Sequence, residues 1–88
     1  MSYKLIIFDQ KVFAKDISKI DKQELHVIRE KIKQLQNDGI THAQVKRLKS
    51  YPVADFRLRV GSYRVLFDFS LETKEIILFR VLHRSKLY

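Results

Sequence analysis

Apolar and polar residues alternate through the second half of the chain, beginning at Phe56. A period of two is that of a β-strand with one buried face, and the alternation resumes after Gly61 and Ser62. Glycine in the first position of a two-residue turn is typical of a type II′ hairpin. This pattern predicts a hairpin whose buried face carries three cross-strand pairs: Phe56 with Phe67, Leu58 with Val65, and Val60 with Tyr63.

The opposite face of the same hairpin is positively charged. Arg57 and Arg59 point away from the apolar pairs, and the register places Arg59 directly across from Arg64. A like-charge pair in this position destabilises a sheet by roughly 0.2–1 kcal/mol. We therefore expect a compensating negative group near the two arginines, and a bound anion would provide one.

A third strand follows, and its register depends on the loop before it. A five-residue loop over residues 71–75 predicts three further pairs: Phe69 with Ile77, Phe67 with Phe79, and Val65 with Val81. A four-residue loop would instead move Arg80 into the core, because a one-residue slip turns every side chain to the other face. The five-residue loop is therefore predicted. It completes an arginine face made of Arg57, Arg59, Arg64 and Arg80, with Arg84 and Tyr88 just beyond the strand.

The first half of the chain has a helical period after a short strand over residues 3–8. Asp9 is a candidate cap for a helix that begins at Gln10. Asp21, followed by Glu24 in the pattern of a capping box, predicts a second helix that ends at Gly39. Each helix has one apolar stripe: Val12, Phe13, Ile17 and Ile20 in the first, and Leu25, Ile28, Ile32 and Leu35 in the second.

Both stripes must be buried, and the aromatic face of the sheet is the surface available. The predicted fold is therefore α+β, a small single domain over residues 1–88 in the order β-α-α-β-β-β. Both helices pack on one face of a mainly antiparallel sheet, and the arginine face is expected to stay open. The connector over residues 40–52 contains Pro52, which excludes a central strand there. Its Lys46, Arg47 and Lys49 are expected to flank the open face.

Composition and charge narrow the class of protein. The chain has no cysteine, which excludes disulfides and cysteine zinc sites and suits a reducing compartment. Its N-terminal apolar run is too short for a signal peptide or a membrane span, so we expect a cytoplasmic protein without a membrane partner. The formal net charge is +8, and residues 45–88 hold 10 Lys/Arg against 4 Asp/Glu. This surplus indicates nucleic acid or an acidic protein as partner, although basic residues also serve as plain solvated surface.

The residue types exclude several kinds of site. His26, His42 and His83 are isolated in the sequence, and the acidic residues lack the spacing of metal ligands. Only two glycines are present, so no glycine-rich phosphate loop is predicted, and no metal or cofactor is expected. Guanidinium groups remain, and their fixed charge and planar geometry suit phosphate. Such groups either hold a nucleic-acid backbone or stabilise the charge that develops when a phosphate is attacked.

Three motifs in order resemble those of the RelE/ParE superfamily of toxin–antitoxin toxins, and of its RelE branch in particular. They are residues 48–52 (LKSYP), 56–67 (FRLRVGSYRVLF) and 80–88 (RVLHRSKLY). The resemblance implies a RelE-like fold and the toxin of a type II system. The implied activity is a ribosome-dependent endoribonuclease that needs no metal and cuts messenger RNA by attack of a ribose 2′-hydroxyl on the adjacent phosphate. The implied partners are the ribosome, messenger RNA and an acidic RelB-like antitoxin that binds the toxin in a heteromeric complex.

The resemblance also implies roles for single residues. Arg64 matches the arginine that stabilises the charged transition state, and Arg84 matches the arginine near the leaving 5′ oxygen. Tyr88 matches the tyrosine that stacks on the nucleotide and orients it. Arg57 and Arg59 stand where well-known RelE members have two lysines.

That last difference leaves the general base unassigned, because arginine stays protonated and is a poor base. Histidine is the side-chain type that titrates closest to neutral pH, so His83 is a hypothetical base or proton shuttle.

Two other functions remain open: a ParE-like toxin that binds DNA gyrase and cuts nothing, and an RNA-binding domain without catalysis. Structural roles are the alternatives for single residues. Arg57 and Arg59 could keep an exposed strand soluble, and Arg80 could pair with Asp68.

Overall fold

The computed structural model describes residues 2–39 and 44–87, except the side chain of Leu87, so Tyr88 and His42 lie outside the described residues. The chain forms β1 (Lys4–Ile7), α1 (Gln10–Ser18), α2 (Lys22–Asp38), β2 (Val45–Arg47), β3 (Phe56–Val60), β4 (Tyr63–Ser70), β5 (Glu75–His83) and α3 (Arg84–Leu87). The strands build one sheet in the order β1-β5-β4-β3-β2. Within the described residues, only β1 and β5 pair in parallel, which confirms the predicted α+β fold with a mainly antiparallel sheet.

The helices begin and end where the capping residues predict. A carboxylate oxygen of Asp9 accepts the N–H of Val12 at 3.1 Å, and Asp21 accepts the N–H of Gln23 at 3.2 Å. These bonds satisfy N–H groups that have no partner within the first helical turn. The second helix stops at Gly39, whose φ of +67° lies in the left-handed region that glycine tolerates best.

The first predicted hairpin is confirmed in every pair. Phe56 lies opposite Phe67, and Arg59 lies opposite Arg64. At the turn Gly61 has a φ of +58°, and Ser62 is not among the described residues with positive φ, as a type II′ turn requires.

The predicted five-residue length of the second hairpin loop is wrong. The facing predicted from it, with Arg80 on the face of the sheet opposite the aromatic face, is correct. Ser70 pairs with Glu75, so the loop has four residues, and beyond it Phe67 pairs with Leu78. A β-bulge then inserts Phe79, after which Leu66 pairs with Arg80 and Val65 with Val81. The extra residue restores the predicted facing, because one inserted residue reverses the effect of one missing loop residue.

The two helices cover the aromatic face of the sheet, as predicted. Four buried helix residues, together with Ile20 between the two helices, pack against seven buried strand residues in one core cluster. The helix members are Phe13, Ile28, Ile32 and Leu35, and the strand members are Leu58, Val60, Val65, Phe67, Ile76, Leu78 and Val81. Helix α1 ends at Ser18, so the predicted first stripe extends beyond it to Ile20.

The expectation that the opposite face stays open is wrong for its central part. Leu66 is fully buried there, and Ala54 lies against it with half-buried Leu48 and Tyr51 from the connector. The same cluster includes Phe79, which the bulge moves away from its predicted place opposite Phe67. The sheet has apolar residues on both faces, and burying a leucine side chain stabilises a fold by about 2 kcal/mol, so the connector folds over them.

The connector also contributes β2, a three-residue edge strand that the sequence analysis did not predict. Pro52 lies outside this strand. No helix in residues 2–39 or 44–87 is both long enough and apolar enough to cross a membrane.

Candidate nucleic-acid interface

Cross-strand register collects cations on the sheet face opposite the helices. Lys46 of β2 pairs with Arg57 of β3, and Arg59 of β3 pairs with Arg64 of β4. These four residues, Lys46, Arg57, Arg59 and Arg64, are called the basic face below. Leu66 lies between Arg57 and Arg80 in the register, so the basic face ends where the second apolar cluster begins.

The Arg59–Arg64 pair shows how two like charges are accommodated on adjacent strands. Arg59 is exposed, whereas Arg64 is only 8% exposed. The Nη1 group of Arg64 donates to the carbonyl oxygens of Gly61 at 3.0 Å and of Tyr63 at 2.9 Å. Carbonyl oxygens of the turn thus provide part of the negative partner that the sequence analysis assigned to an anion.

The Gly61–Ser62 turn also holds the start of the C-terminal helix. The backbone N–H of Arg84 donates to the carbonyl oxygen of Ser62 at 2.7 Å. Arg64 and Arg84 therefore attach to neighbouring carbonyls of one turn, and the Arg84 side chain is exposed beside it. The structure brings together these two predicted site residues, whereas Tyr88 lies outside its described part.

Arg80 is held by an ion pair that the sequence analysis did not predict. Its Nε and Nη2 groups donate to the two carboxylate oxygens of Asp16 at 2.7 and 2.9 Å. This hydrogen bond raises the pKa of the Arg80 guanidinium above its ordinary value. The suggested partner Asp68 instead accepts the backbone N–H of Asp55 at 2.7 Å, so the Arg80–Asp68 pairing is wrong.

Asp16 also completes the edge of the sheet. Strand β1 ends opposite Leu78, and beyond that point Asp16 accepts the backbone N–H of Val81 at 3.1 Å. A side chain of α1 thus takes the place of a missing strand partner. The sequence contained a signal for this role, because Asp16 falls within the apolar stripe between Phe13 and Ile20.

The three predicted flanking cations do not share one location. Lys46 belongs to the basic face, and Lys49 is exposed in the segment between β2 and β3. Arg47 pairs with Phe56 in the register, and its guanidinium lies over the Phe56 ring at 5.7 Å. It therefore lies on the helix side of the sheet, away from Arg57 and Arg59.

His83 also lies on the other side of the sheet from the basic face, since it pairs with Tyr63. Its ring meets the Tyr63 ring edge to face at 5.4 Å. The backbone N–H of Ser85 donates to Nδ1 at 3.2 Å, and the Ser85 hydroxyl lies 2.9 Å from the same atom. A nitrogen that accepts this N–H has no proton, so the neutral ring is protonated on Nε2.

Within residues 2–39 and 44–87, no group of three or more His, Asp or Glu side chains is arranged to hold a metal ion. The chemistry on the basic face is that of guanidinium and ammonium groups, which bind phosphate through charge-assisted hydrogen bonds.

Comparison with known proteins identifies related sequences and folds. The family model described as the ParE toxin of the type II toxin–antitoxin system, parDE, matches residues 6–88. No curated protein matches the sequence significantly.

Three solved structures with the same fold are toxin–antitoxin complexes. The RelBE2 complex from Mycobacterium tuberculosis has a toxin-like chain that is 22% identical, with a TM-score of 0.77 over 96% of this chain and 100% of that one. The archaeal RelE–RelB complex from Pyrococcus horikoshii gives 22% identity and a TM-score of 0.77 over 98% and 99% of the two chains. The RelB–RelE complex from Methanococcus jannaschii gives 28% identity and a TM-score of 0.69 over 94% of each chain.

Proposed function

The chain belongs to the ParE toxin family of type II toxin–antitoxin systems, and we propose that it acts as a RelE-type endoribonuclease that cuts messenger RNA on the ribosome. Residues 1–88 act as one toxin domain in this proposal. The observation that carries it is the cluster of cations around the Gly61–Ser62 turn: the basic face on one side, and Arg84 bound to the turn on the other.

The reaction proposed is attack of a ribose 2′-hydroxyl on the neighbouring phosphorus atom. The new bond joins the 2′ oxygen to phosphorus, the bond to the 5′ oxygen breaks, and the 2′-hydroxyl proton passes through water to the departing 5′ oxygen. The products are a cyclic phosphate and a 5′-hydroxyl end. Negative charge grows on the phosphate oxygens during this step, and fixed guanidinium groups stabilise such charge. Arg57 and Arg59 bind the phosphate, and Arg64 stabilises the transition state.

Residues of the C-terminal segment contact the leaving group and the nucleotide in this proposal. Arg84 neutralises the departing 5′ oxygen, and Tyr88 stacks on the nucleotide. Lys46 and Lys49 extend the phosphate-binding surface. Arg80 is less suited to bind phosphate because it is already bound by Asp16. Arg47 is less suited because its guanidinium lies over the Phe56 ring.

His83 is the hypothetical base, and its surroundings bear directly on that role. Because Nδ1 accepts the Ser85 N–H, a neutral His83 presents Nε2–H as a donor and has no free lone pair to take the 2′-hydroxyl proton. The geometry therefore favours His83 as a hydrogen-bond donor over His83 as the base.

An acidic antitoxin is the proposed protein partner, in a heteromeric complex. The net charge of +8 favours an acidic segment, and three similar solved chains come from RelB–RelE type toxin–antitoxin complexes. The ribosome and messenger RNA are the other proposed partners.

A second candidate is the inhibition of DNA gyrase without cleavage, as in ParE-like toxins. The matching family model favours it, because that model is named for ParE. A basic face that binds RNA without cutting it is the remaining alternative.

These functions are separated by making the protein in a translation extract and mapping messenger ends. We expect ribosome-dependent cuts that an Arg59→Gln variant reduces by about tenfold or more, since a hydrogen bond to a charged group such as the phosphate contributes about 1.5–3 kcal/mol. The matched control is Arg29→Gln, which removes an exposed arginine from α2 and leaves the cuts unchanged. Intact messages contradict the proposal, and gyrase-linked DNA breaks alongside them support the second candidate.

A further inference from the structure

A cleft of about 460 Å³ lies at the C-terminal end of β5. Its walls come from the end of α1, the connector, the start of β4 and α3, and they include Lys19, Tyr51, Tyr63, His83 and Lys86. The volume falls within the range of small-ligand sites, about 300–1,000 Å³. None of these residues except His83 has a role in the cleavage reaction proposed above.

The cleft has a net positive charge. Asp16 also lines it, but both of its carboxylate oxygens accept hydrogen bonds from Arg80, so these two charges compensate each other. Lys19 and Lys86 are exposed, and no acidic side chain other than Asp16 lines this cleft among the described residues. The two ammonium groups therefore favour an anionic ligand.

Two tyrosine rings add aromatic surface to this cationic cleft. Tyr51 and Tyr63 are both half-buried, and the edge-to-face contact with His83 fixes the orientation of the Tyr63 ring. Burial raises the pKa of the Tyr63 phenol, and the Glu24 carboxylate raises it further. Tyr63 therefore offers a neutral ring to a ligand at physiological pH. Aromatic rings next to cations are the surface on which proteins stack the bases of single-stranded nucleic acid.

The cleft lies next to the basic face in the register of the sheet. Leu82 lines the cleft, and Leu82 is the direct cross-strand partner of Arg64. A strand of RNA whose backbone lies on the basic face therefore reaches the cleft within one position of the β-ladder.

We propose that this cleft is a subsite for one nucleotide of the RNA strand, with a phosphate at Lys19 and Lys86 and the base against Tyr51 and Tyr63. The inference rests on the proposed function, because it takes RNA to be the ligand of the basic face. It adds a second point of recognition outside the phosphate that is attacked.

The test is binding of a 5′-phosphorylated 2′-O-methyl RNA trinucleotide, which the proposed reaction cannot cleave because its 2′-hydroxyls are blocked. Binding to the free protein is measured by titration calorimetry. The double variant Lys19→Gln/Lys86→Gln should bind about tenfold more weakly, as should Tyr51→Leu, since stacking on one aromatic ring contributes about 1–3 kcal/mol. The matched control is Lys11→Gln/Lys15→Gln, which removes two exposed lysines from α1 outside the cleft.

Equal losses in the cleft and control variants would overturn the subsite. Adenosine 5′-monophosphate serves as a second probe, because a pocket for a free nucleotide would bind it at least as tightly as the trinucleotide, and that result also overturns the inference. All substituted lysines are exposed, and thermal melts followed by circular dichroism check that each variant is folded.

Failure of the subsite is distinguishable from failure of the proposed function. Messenger cuts that depend on Arg59, together with cleft variants that behave like the control, leave the function standing and remove the subsite. Intact messages, together with weaker trinucleotide binding in the cleft variants, remove the cleavage reaction and leave an RNA-binding cleft.

Discussion

Arg64 donates hydrogen bonds to two carbonyl oxygens of its own hairpin while it stands opposite Arg59. The sequence predicts the opposition but not the hydrogen bonds, because alternation fixes the face of a side chain and leaves its rotamer free. At the scale of single residues, the same limit applies to His83. Its Nδ1 contact with Ser85 depends on how the chain turns after β5, and no periodic pattern encodes that turn.

Replacing Arg64 tests its structural role. Arg64→Ala should lower the free energy of unfolding by about 1–3 kcal/mol, because it removes a mostly buried guanidinium and its hydrogen bonds to two carbonyl oxygens. Arg59→Ala should change it by less than about 0.5 kcal/mol, since that side chain is exposed. Urea denaturation measures both, and equal effects would contradict the contacts described.

The His83→Gln variant tests whether His83 takes up a proton in the proposed cleavage reaction. Glutamine retains a donor, so cleavage should stay within about threefold of the unmodified protein with the same pH dependence. A general base contributes about 10²–10⁴-fold to a reaction. A loss of that size in the extract assay, with a shifted pH profile, would reinstate His83 as the base.

The Tyr63 phenol predicts a pH dependence of stability. Burial, and then the Glu24 carboxylate, raise its folded pKa above 10.0, so the folded state binds this proton more tightly than the unfolded state does. The protonated phenol therefore adds to the free energy of unfolding. This contribution is complete below about pH 10 and is lost as the pH rises through the folded pKa. Above about pH 10, the free energy of unfolding should therefore fall less steeply with pH in Tyr63→Phe than in the unmodified protein. Urea titrations at several alkaline pH values measure this, and the same slope for both proteins would refute the prediction.

At the scale of secondary structure, helix caps and the first hairpin were predictable because their signals are local. Asp9, Asp21 and Gly39 act within a few residues of their own position. The β4–β5 register was not predictable, because a longer loop and a shorter loop with a bulge give the same facing for Arg80 and Val81. Choosing between them requires the packing of Phe79 against Phe8 and the second apolar cluster.

The contact between α1 and β5 gives a prediction at this scale. Asp16→Ala removes the partner of Arg80 and the acceptor of the Val81 N–H, so it should lower the free energy of unfolding by about 1–3 kcal/mol. Asp16→Asn keeps one oxygen acceptor and should lower the free energy of unfolding by less than Asp16→Ala does. Chemical denaturation compares the two, and an alanine variant as stable as the asparagine variant would show that the carboxylate oxygens do not hold the edge of the sheet.

At the scale of the whole molecule, charge is distributed unevenly over the sheet. The sequence predicts the surplus of cations in residues 45–88 and the face that carries Arg57, Arg59 and Arg64. It does not predict that the connector covers Leu66 on that same face. Where a long connector lies depends on contacts between residues far apart in the chain, so the size of the basic face becomes visible only in the folded molecule.

Salt dependence tests the basic face as a unit. Each phosphate contact adds about 0.7 to the slope of log affinity against log salt for a single strand. Lys46→Gln should therefore reduce the slope for a single-stranded RNA by about 0.7, and Arg29→Gln should leave it unchanged. Fluorescence anisotropy at several salt concentrations measures the slopes, and an unchanged slope for the Lys46 variant would remove Lys46 from the interface.

Because of the bulge at Phe79, the length of the loop between β4 and β5 does not determine where Arg80 and Arg64 lie on the sheet. Residues 71–74 are exposed, and an offset introduced there can be absorbed before the strands reach Arg80 and Arg64. Related toxins can therefore differ in length at this tip while keeping the same arrangement of arginines. The tip is also the position where a short peptide tag can be inserted for detection without altering the basic face.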